Sequence, residues 1–306
     1  MSAKLRVIGF GIGTSCKDYL KNYKDEYEIV ALSDWDSKTH GTEKYNYQVI
    51  NPYDFDKYDF DKILILSFYV NEIKEQLAEK LNIKDESIVV PEKHKIKGVL
   101  LPFIDEKTKE FGRSCLIYFS ELMQKNNIRG FLDYGALLGL VRDGDIIDWD
   151  DDIDFSVFSD DAEKLKNLLL FYKEKLPEHQ YLDWSCKISE DKDGNIWYFS
   201  LNFTNKNEFI YREFEIAVTV RMFYKGHAIK MRNDYQSAPE EFFKSFEFIT
   251  FRESKILVPY RHIDYLDFYY KNWQTPERLT FGTKYGISYQ GGLDEIKVQT
   301  REVLLF

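Results

Sequence analysis

The feature that most constrains the fold of this chain is an aspartate-rich segment near its middle. Seven aspartates fall within twelve positions, and such crowding destabilises a compact fold by self-repulsion unless water or a cation neutralises it. A solvated loop accounts for the first two of them but not for the last two, which alternate with apolar residues in the sequence DIDF. In a strand, this alternation directs both carboxylates to one face and the apolar side chains into the core. The seven residues are Asp143, Asp145, Asp148, Asp150, Asp151, Asp152 and Asp154.

Two carboxylates on one face of a strand, Asp152 and Asp154, predict a site for Mg²⁺ or Mn²⁺, hard cations that oxygen ligands suit. An EF-hand would be another explanation, but it fails because a loop starting at Asp143 would have Asp148 where glycine is required. The formal charge of -10 argues against nucleic-acid binding, which needs clustered Lys and Arg. An acidic protein that handles phosphates must recruit positive charge, and a divalent cation is the simplest source.

The sequence YGALLG lies just upstream of the aspartates and predicts a glycine turn followed by a short helix. Gly135 and Gly139 would let backbone amides contact a phosphate, and Arg142 would offer its guanidinium to another phosphate oxygen. Trp149 either stacks on a base, a sugar or choline methyl groups, or closes the acidic loop by packing. Backbone amides and an arginine that bind phosphate, followed by carboxylates on a strand, suit metal-assisted transfer between a phosphate and a hydroxyl.

These residues carry a family resemblance. The stretch YGALLGLVRDGDIIDWDDDIDF resembles the signature of the LicD/fukutin-related family, and ILVPYRHIDYLDFYYKNWQTPE resembles the pattern near that family's C-terminus. The resemblance covers about residues 107–280 and implies an α+β catalytic domain of the nucleotidyltransferase type. It also implies transfer of phosphocholine, or of a related phospho-alditol, from a CDP-linked donor to a sugar hydroxyl with a divalent metal. The acceptor would be a cell-surface glycan or its lipid-linked precursor, which would bring the enzyme near the inner membrane face without a spanning helix.

The resemblance also implies roles for individual side chains. Asp152 and Asp154 would ligate Mg²⁺ or Mn²⁺, and Asp150 or Asp151 would add a ligand or act as a base. The two glycines of YGALLG and the arginine that follows them would face the donor phosphates. These roles come from the family pattern and not from spacing alone.

Sites of this type usually add a third carboxylate from a later strand, and this chain lacks the DIF-like stretch that commonly supplies it. The best substitute is Glu215 in REFEIAVTVRMF, with Glu213 on the same face two residues earlier. Each of these is equally well interpreted as an exposed strand acid. Arg221 and His227 are nearby polar candidates, and the favoured interpretation of each is a surface or structural residue.

The N-terminal part of the chain predicts a separate α/β domain. Strands alternate with helices over about 90 residues, which is typical of a doubly wound parallel sheet. This domain resembles the small Rossmann-like domains fused to sugar-modifying enzymes. Three glycines follow the first strand and an aspartate ends the second, an order that dinucleotide sites use. The favoured interpretation is that the glycines only form a tight turn in a scaffold without a ligand. The candidate nucleotide-binding residues are Gly9, Gly11, Gly13 and Asp34.

The stretch PEKHKIKGVLLP, with a proline at each end, predicts a boundary that divides the chain into domains 1–98 and 99–306. Three cysteines without a CxxC pair favour a reducing compartment. The N-terminus lacks the apolar core of a signal peptide, and no apolar run reaches the ~20 residues of a membrane span. We therefore expect a cytoplasmic protein.

Three other functions remain open. The same metal-binding residues could transfer a nucleotidyl group and release pyrophosphate, or the chain could be a non-catalytic nucleotide-binding scaffold. An NAD-dependent oxidoreductase follows from the first domain alone. It ranks last because the chain lacks a suitable hydride-site histidine.

Overall fold

The computed structural model describes residues 4–97, 101–230, 237–270, 272–276 and 299–306. The chain divides into two compact units, of which the first contains the described residues up to 97 and the second those from 101 onward. No described helix combines the length and the apolar character that a bilayer span requires.

The first unit contains six strands and three helices among its described residues. The strands are β1 (Arg6–Phe10), β2 (Glu28–Ser33), β3 (Glu43–Lys44), β4 (Tyr47–Ile50), β5 (Lys62–Ile65) and β6 (Ile88–Val89). The helices are α1 (Thr14–Tyr23), α2 (Val70–Leu81) and α3 (Lys93–Lys97).

The strands of the first unit form one sheet in the order β3-β4-β2-β1-β5-β6. All pairs are parallel except the short β3–β4 hairpin, so the five parallel strands follow the Rossmann order 3-2-1-4-5. One face of the sheet packs against α1 and the other against α2. A parallel sheet covered on both faces needs apolar residues on both, which explains runs such as KILILS. The predicted Rossmann-like parallel sheet is therefore confirmed.

The second unit contains ten strands and four helices among its described residues. The strands are β7 (Phe131–Leu132), β8 (Asp152–Phe158), β9 (Leu182–Asp191), β10 (Ile196–Asn205), β11 (Glu215–Tyr224), β12 (His227–Lys230), β13 (Ser237–Pro239), β14 (Phe246–Phe251), β15 (Ser254–Pro259) and β16 (Thr300–Leu304). The helices are α4 (Glu106–Lys125), α5 (Tyr134–Arg142), α6 (Ser159–Tyr172) and α7 (His262–Tyr270).

The main sheet of the second unit has the order β13-β12-β11-β10-β9-β16. Strand β8 runs parallel to β11, and β7 pairs antiparallel with β8. The apolar residues that alternate with the aspartates of β8, Ile153 and Phe155, are fully buried in the core that α4 and α6 cover. The opposite side of β8 therefore carries its acids, as the alternation predicted.

A short 3₁₀ turn, Glu240–Phe243, leads into β14, whose alternating sequence FEFITF pairs with β15 as a hairpin. Helix α6 begins at Ser159, with Phe158 as its N-cap.

Candidate active site

The sequence YGALLG forms helix α5, so the predicted glycine turn is wrong. Gly135 and Gly139 lie one helical turn apart and face the aspartate-rich segment. A Cβ on Gly135 would lie 2.3 Å from Oδ2 of Asp150, and a Cβ on Gly139 would lie 2.6 Å from the carbonyl oxygen of Asp145. Both glycines are thus needed for the close approach of the acidic segment to the helix, and neither has a positive φ.

The first three aspartates of the segment form ion pairs with basic residues of the same unit. Arg142, predicted to face donor phosphates, donates from Nε and Nη2 to the carboxylate of Asp143 at 2.8 and 2.6 Å. Its guanidinium also lies 5.8 Å from the centroid of the Trp149 ring. Trp149 packs against the main apolar core, which agrees with the predicted closing role, and stacking on a ligand stays a prediction.

Asp145 is the most strongly held of these three residues. It accepts hydrogen bonds from Nε and Nη2 of Arg113 at 2.8 and 2.5 Å, and Lys109 Nζ lies 3.1 Å away. Burial by itself raises the pKa of Asp145, but the hydrogen bonds from Arg113, the Ile146 amide and Lys109 outweigh burial and hold the pKa well below its ordinary value. Lys109 also donates to Asp148 at 2.7 Å. This half of the segment is therefore anchored to α4.

The carboxylates of the next three aspartates lie close together. Asp150, Asp151 and Asp152 are half-buried, and each offers a carboxylate oxygen within 4.8 Å of the others, the spacing of a candidate metal site among the described residues. Asp154 lies two residues further along the same face of β8 and is not a member of this group. Its backbone carbonyl accepts a hydrogen bond from the Asp133 amide at 3.1 Å. Metal binding by Asp152 and Asp154 stays a prediction, and the geometry adds Asp150 and Asp151 as neighbours.

Glu215 lies beside this group on the adjacent strand. The parallel register of β8 and β11 pairs Glu215 directly with Asp152. The Tyr198 hydroxyl donates to Oε1 of Glu215 at 3.1 Å and so orients the carboxylate. Glu213, the alternative candidate, precedes β11 and is exposed. Of the two, Glu215 has the position expected of a carboxylate from a later strand.

Arg221 is the residue that the sequence interpretation underrated. Its side chain is fully buried, as is that of Asp133, and Nη2 donates to Oδ2 of Asp133 at 2.7 Å. A surface position is thus excluded, whereas His227, the other polar candidate, is partly exposed at the start of β12. The sequence signal was the in-phase spacing of Arg221 with Glu215 along one strand, which places both on the same face.

Packing and backbone conformation explain most of the candidate glycines in the first unit. A Cβ on Gly9 would lie 2.8 Å from Leu32 Cδ2, and Gly11 has a φ of +99° with Leu66 O 3.1 Å from its ideal Cβ. Gly13, the N-cap of α1, has open space around its Cβ position. Packing and the turn explain the first two glycines and leave Gly13 as the position with room for a ligand.

Asp34 directly follows β2 at the carboxyl edge of the same sheet, next to the turn after β1. Its Oδ1 accepts a hydrogen bond from the Asp36 amide at 3.0 Å. Gly13 and Asp34 therefore lie at the edge where sheets of this order bind nucleotides. Nucleotide binding by the first unit stays a prediction.

Two family models match the chain. Residues 127–261 match the model described as LicD/FKTN/FKRP, nucleotidyltransferase domain, and residues 3–89 match the model described as C2185-like, N-terminal. A curated relative, the uncharacterized protein RP689 of Rickettsia prowazekii (strain Madrid E), is 27% identical over 165 residues, or 49% of this chain and 52% of the relative. The chain thus spans about half the length of the curated relative that it matches.

Solved structures show weaker similarity. UDP-D-quinovosamine 4-dehydrogenase from Vibrio fischeri matches with a TM-score of 0.23 and 19% identity, over 29% of this chain and 80% of that chain. The DAP dehydrogenase of C. glutamicum in complex with DAP matches with a TM-score of 0.24 and 11% identity, over 71% of this chain and 83% of that chain. At these TM-scores the similarities carry no conclusion about this chain.

Proposed function

Residues 127–261 of this chain belong to the LicD/FKTN/FKRP family, and on that premise we propose that the protein transfers a substituted phosphate group. The donor would be CDP-linked, and the acceptor would be a hydroxyl of a glycan or of its lipid-linked precursor. The transferred group would be phosphocholine or a phospho-alditol. The observation that carries the proposal is the parallel register that sets Glu215 beside the Asp150–Asp152 group.

The residues present fit a divalent cation. Three carboxylates with oxygens within 4.8 Å of one another are hard ligands, and a fourth carboxylate is paired with Asp152 from the next strand. The absent side chain of Gly135 leaves the space that the Asp150 carboxylate occupies. Asp150, Asp151 and Asp152 would hold Mg²⁺ or Mn²⁺, with Asp154 and Glu215 as neighbouring acids. When bound, the cation would neutralise charge on the donor phosphates and orient them for in-line displacement.

The chain's own residues supply the rest of the chemistry. The first turn of α5 lies next to Asp150, and because amides at a helix N-terminus lack an acceptor within the helix, a donor phosphate would bind there. The acceptor hydroxyl would attack the phosphorus nearer the donor's alcohol, so that a new O–P bond forms as the O–P bond to CMP breaks. A carboxylate of the acidic group, Asp150 or Asp151, would accept the hydroxyl proton. Tyr198 would keep Glu215 oriented throughout.

Product analysis tests this proposal against its two rivals. The full chain would be incubated with Mn²⁺ and, in turn, CDP-choline, CDP-glycerol, CDP-ribitol and CTP, with and without glycan acceptors. Metal-dependent release of CMP supports the proposal, whereas pyrophosphate from CTP would favour nucleotidyl transfer. Calorimetry of Mn²⁺ and the same donors provides the second measurement. If no Mn²⁺ and no CDP-donor binds, the non-catalytic scaffold replaces the proposal.

A further inference from the structure

A polar cluster lies buried beneath the start of α5. Arg221 donates from Nη2 to Asp133 Oδ2 at 2.7 Å, to the Tyr134 hydroxyl at 2.7 Å and to the Tyr265 hydroxyl at 3.1 Å. The Tyr265 hydroxyl donates to Asp133 Oδ1 at 2.6 Å, and the Ser156 hydroxyl donates to Asp133 Oδ2 at 2.5 Å. The cluster thus joins β11, β8, α7 and the residue that precedes α5.

Burial of this ion pair is not by itself a source of stability. The side chains of Arg221 and Asp133 are fully buried, and apolar residues of the same volume are often at least as stabilising as a buried ion pair. In some proteins a buried ion pair instead fixes one conformation of the groups around it.

The cluster contacts an unusual backbone turn. Tyr134, the first residue of α5, has a φ of +43°, a conformation that residues with a side chain rarely adopt and that surrounding contacts must hold. The Tyr134 hydroxyl accepts from Arg221, and its amide donates to Oδ1 of Asp133 at 2.9 Å. Both ends of the tyrosine are therefore fixed by the cluster.

The same turn contacts Asp150 on one side and the backbone of β8 on the other. The next residue, Gly135, lies against the carboxylate of Asp150. The Asp133 amide donates to the Asp154 carbonyl on β8. A shift of the turn would consequently move the start of α5 relative to the Asp150 carboxylate and to β8.

We propose that Arg221 is a positioning residue that acts through Asp133 and Tyr134. It holds the first turn of α5 against Asp150 and β8, and thereby sets the distance between that helix N-terminus and the Asp150–Asp152 group. The functional part of this inference rests on the proposed phosphate transfer. The geometric part, control of the α5 turn by Arg221, stands without it.

Conservative variants of the full chain test the inference. Tyr265→Phe removes one hydroxyl from the cluster without leaving a large cavity, and Arg221→Lys keeps the charge but loses the planar fork. Tyr118→Phe is the matched control, since it removes a hydroxyl of the same unit that donates to the Lys175 carbonyl outside the cluster. Thermal unfolding, hydrogen exchange of the amides at 134–138 and Mn²⁺ calorimetry are measured for each.

Hydrogen bonds to charged groups are worth about tenfold or more in an equilibrium constant. We expect Tyr265→Phe and Arg221→Lys to raise amide exchange at 134–138 by about tenfold and to weaken Mn²⁺ binding, whereas Tyr118→Phe leaves both at the wild-type value. Exchange at 134–138 equal to that of the control overturns the inference, whatever happens to the melting temperature. If wild-type protein binds no Mn²⁺, the proposed function fails, and the exchange measurement still decides whether Arg221 positions α5.

Discussion

The two halves of the aspartate-rich segment are rich in the same residue but have different neighbours. In the first half, Asp145 and Asp148 form ion pairs with basic residues of α4, and Asp143 pairs with the arginine that ends α5. In the second half, Asp150–Asp152 bring their carboxylates within 4.8 Å of one another. The first half anchors a loop, and the second half is the proposed cation site.

The difference arises from the elements that each half adjoins. Residues 143–148 follow α5 and lie beside α4, whose Lys109 and Arg113 point toward them. Residues 150–152 lead into β8, whose parallel partner β11 places Glu215 beside Asp152. If the two halves have the two roles proposed here, substitutions should separate them.

The largest effect is expected from Asp152→Asn compared with Asp148→Asn. Both changes remove one charge from the same segment, but only Asp152 belongs to the carboxylate group. Metal-dependent turnover should fall by at least about a hundredfold in Asp152→Asn, the scale of losing an electrostatic contact in an active site. Steady-state rates and Mn²⁺ calorimetry measure the change. An equal loss of turnover in both variants would contradict the prediction that the two halves of the segment have different roles.

The second comparison uses the two glycines of α5. Gly139→Ala would drive a Cβ into the Asp145 carbonyl, and the rigid backbone there should reduce the free energy of unfolding by about 1–3 kcal/mol. Gly135→Ala would meet the Asp150 side chain, which can rotate away. Gly135→Ala should therefore weaken Mn²⁺ binding more than it lowers stability. Chemical denaturation measures the loss of stability, and calorimetry measures the loss of Mn²⁺ affinity. If Gly135→Ala mainly lowered stability and Gly139→Ala mainly weakened Mn²⁺ binding, the roles assigned to the two glycines would be refuted.

The smallest effect is expected from Asp145→Asn, and its sign depends on pH. Because the folded-state pKa of Asp145 lies below its ordinary value, the charged carboxylate stabilises the fold above about pH 4, the unfolded-state pKa, and this contribution is lost as the pH falls toward the folded-state pKa. The variant should be less stable than wild type by about 1–2 kcal/mol at pH 7. Urea unfolding from pH 7 to pH 2 should show the difference shrinking below about pH 4, and a constant difference would contradict the explanation.

The sequence predicted the elements around the site better than their contacts. Alternation in DIDF placed two acids on one face of a strand, and β8 has that pattern. The glycines of YGALLG were misinterpreted because glycine serves both tight turns and close contacts, and only the neighbouring Asp150 and Asp145 distinguish the two. Arg221 was assigned to the surface or to a structural role because a lone charge in a strand is usually exposed.

Local pattern by itself determined the aspartate pair on one face of β8, the parallel sheet of the first unit and the resemblance of residues 127–261 to the LicD/FKTN/FKRP model. These features depend on the order of residues within one strand, one helix or one motif. The tertiary structure alone decided that Glu215 pairs with Asp152, that Arg113 and Lys109 hold Asp145, and that Arg221 lies beneath Tyr134. Each of these contacts joins residues about 30 to 90 positions apart, and their pairing follows from strand register and helix packing, which no local periodicity encodes.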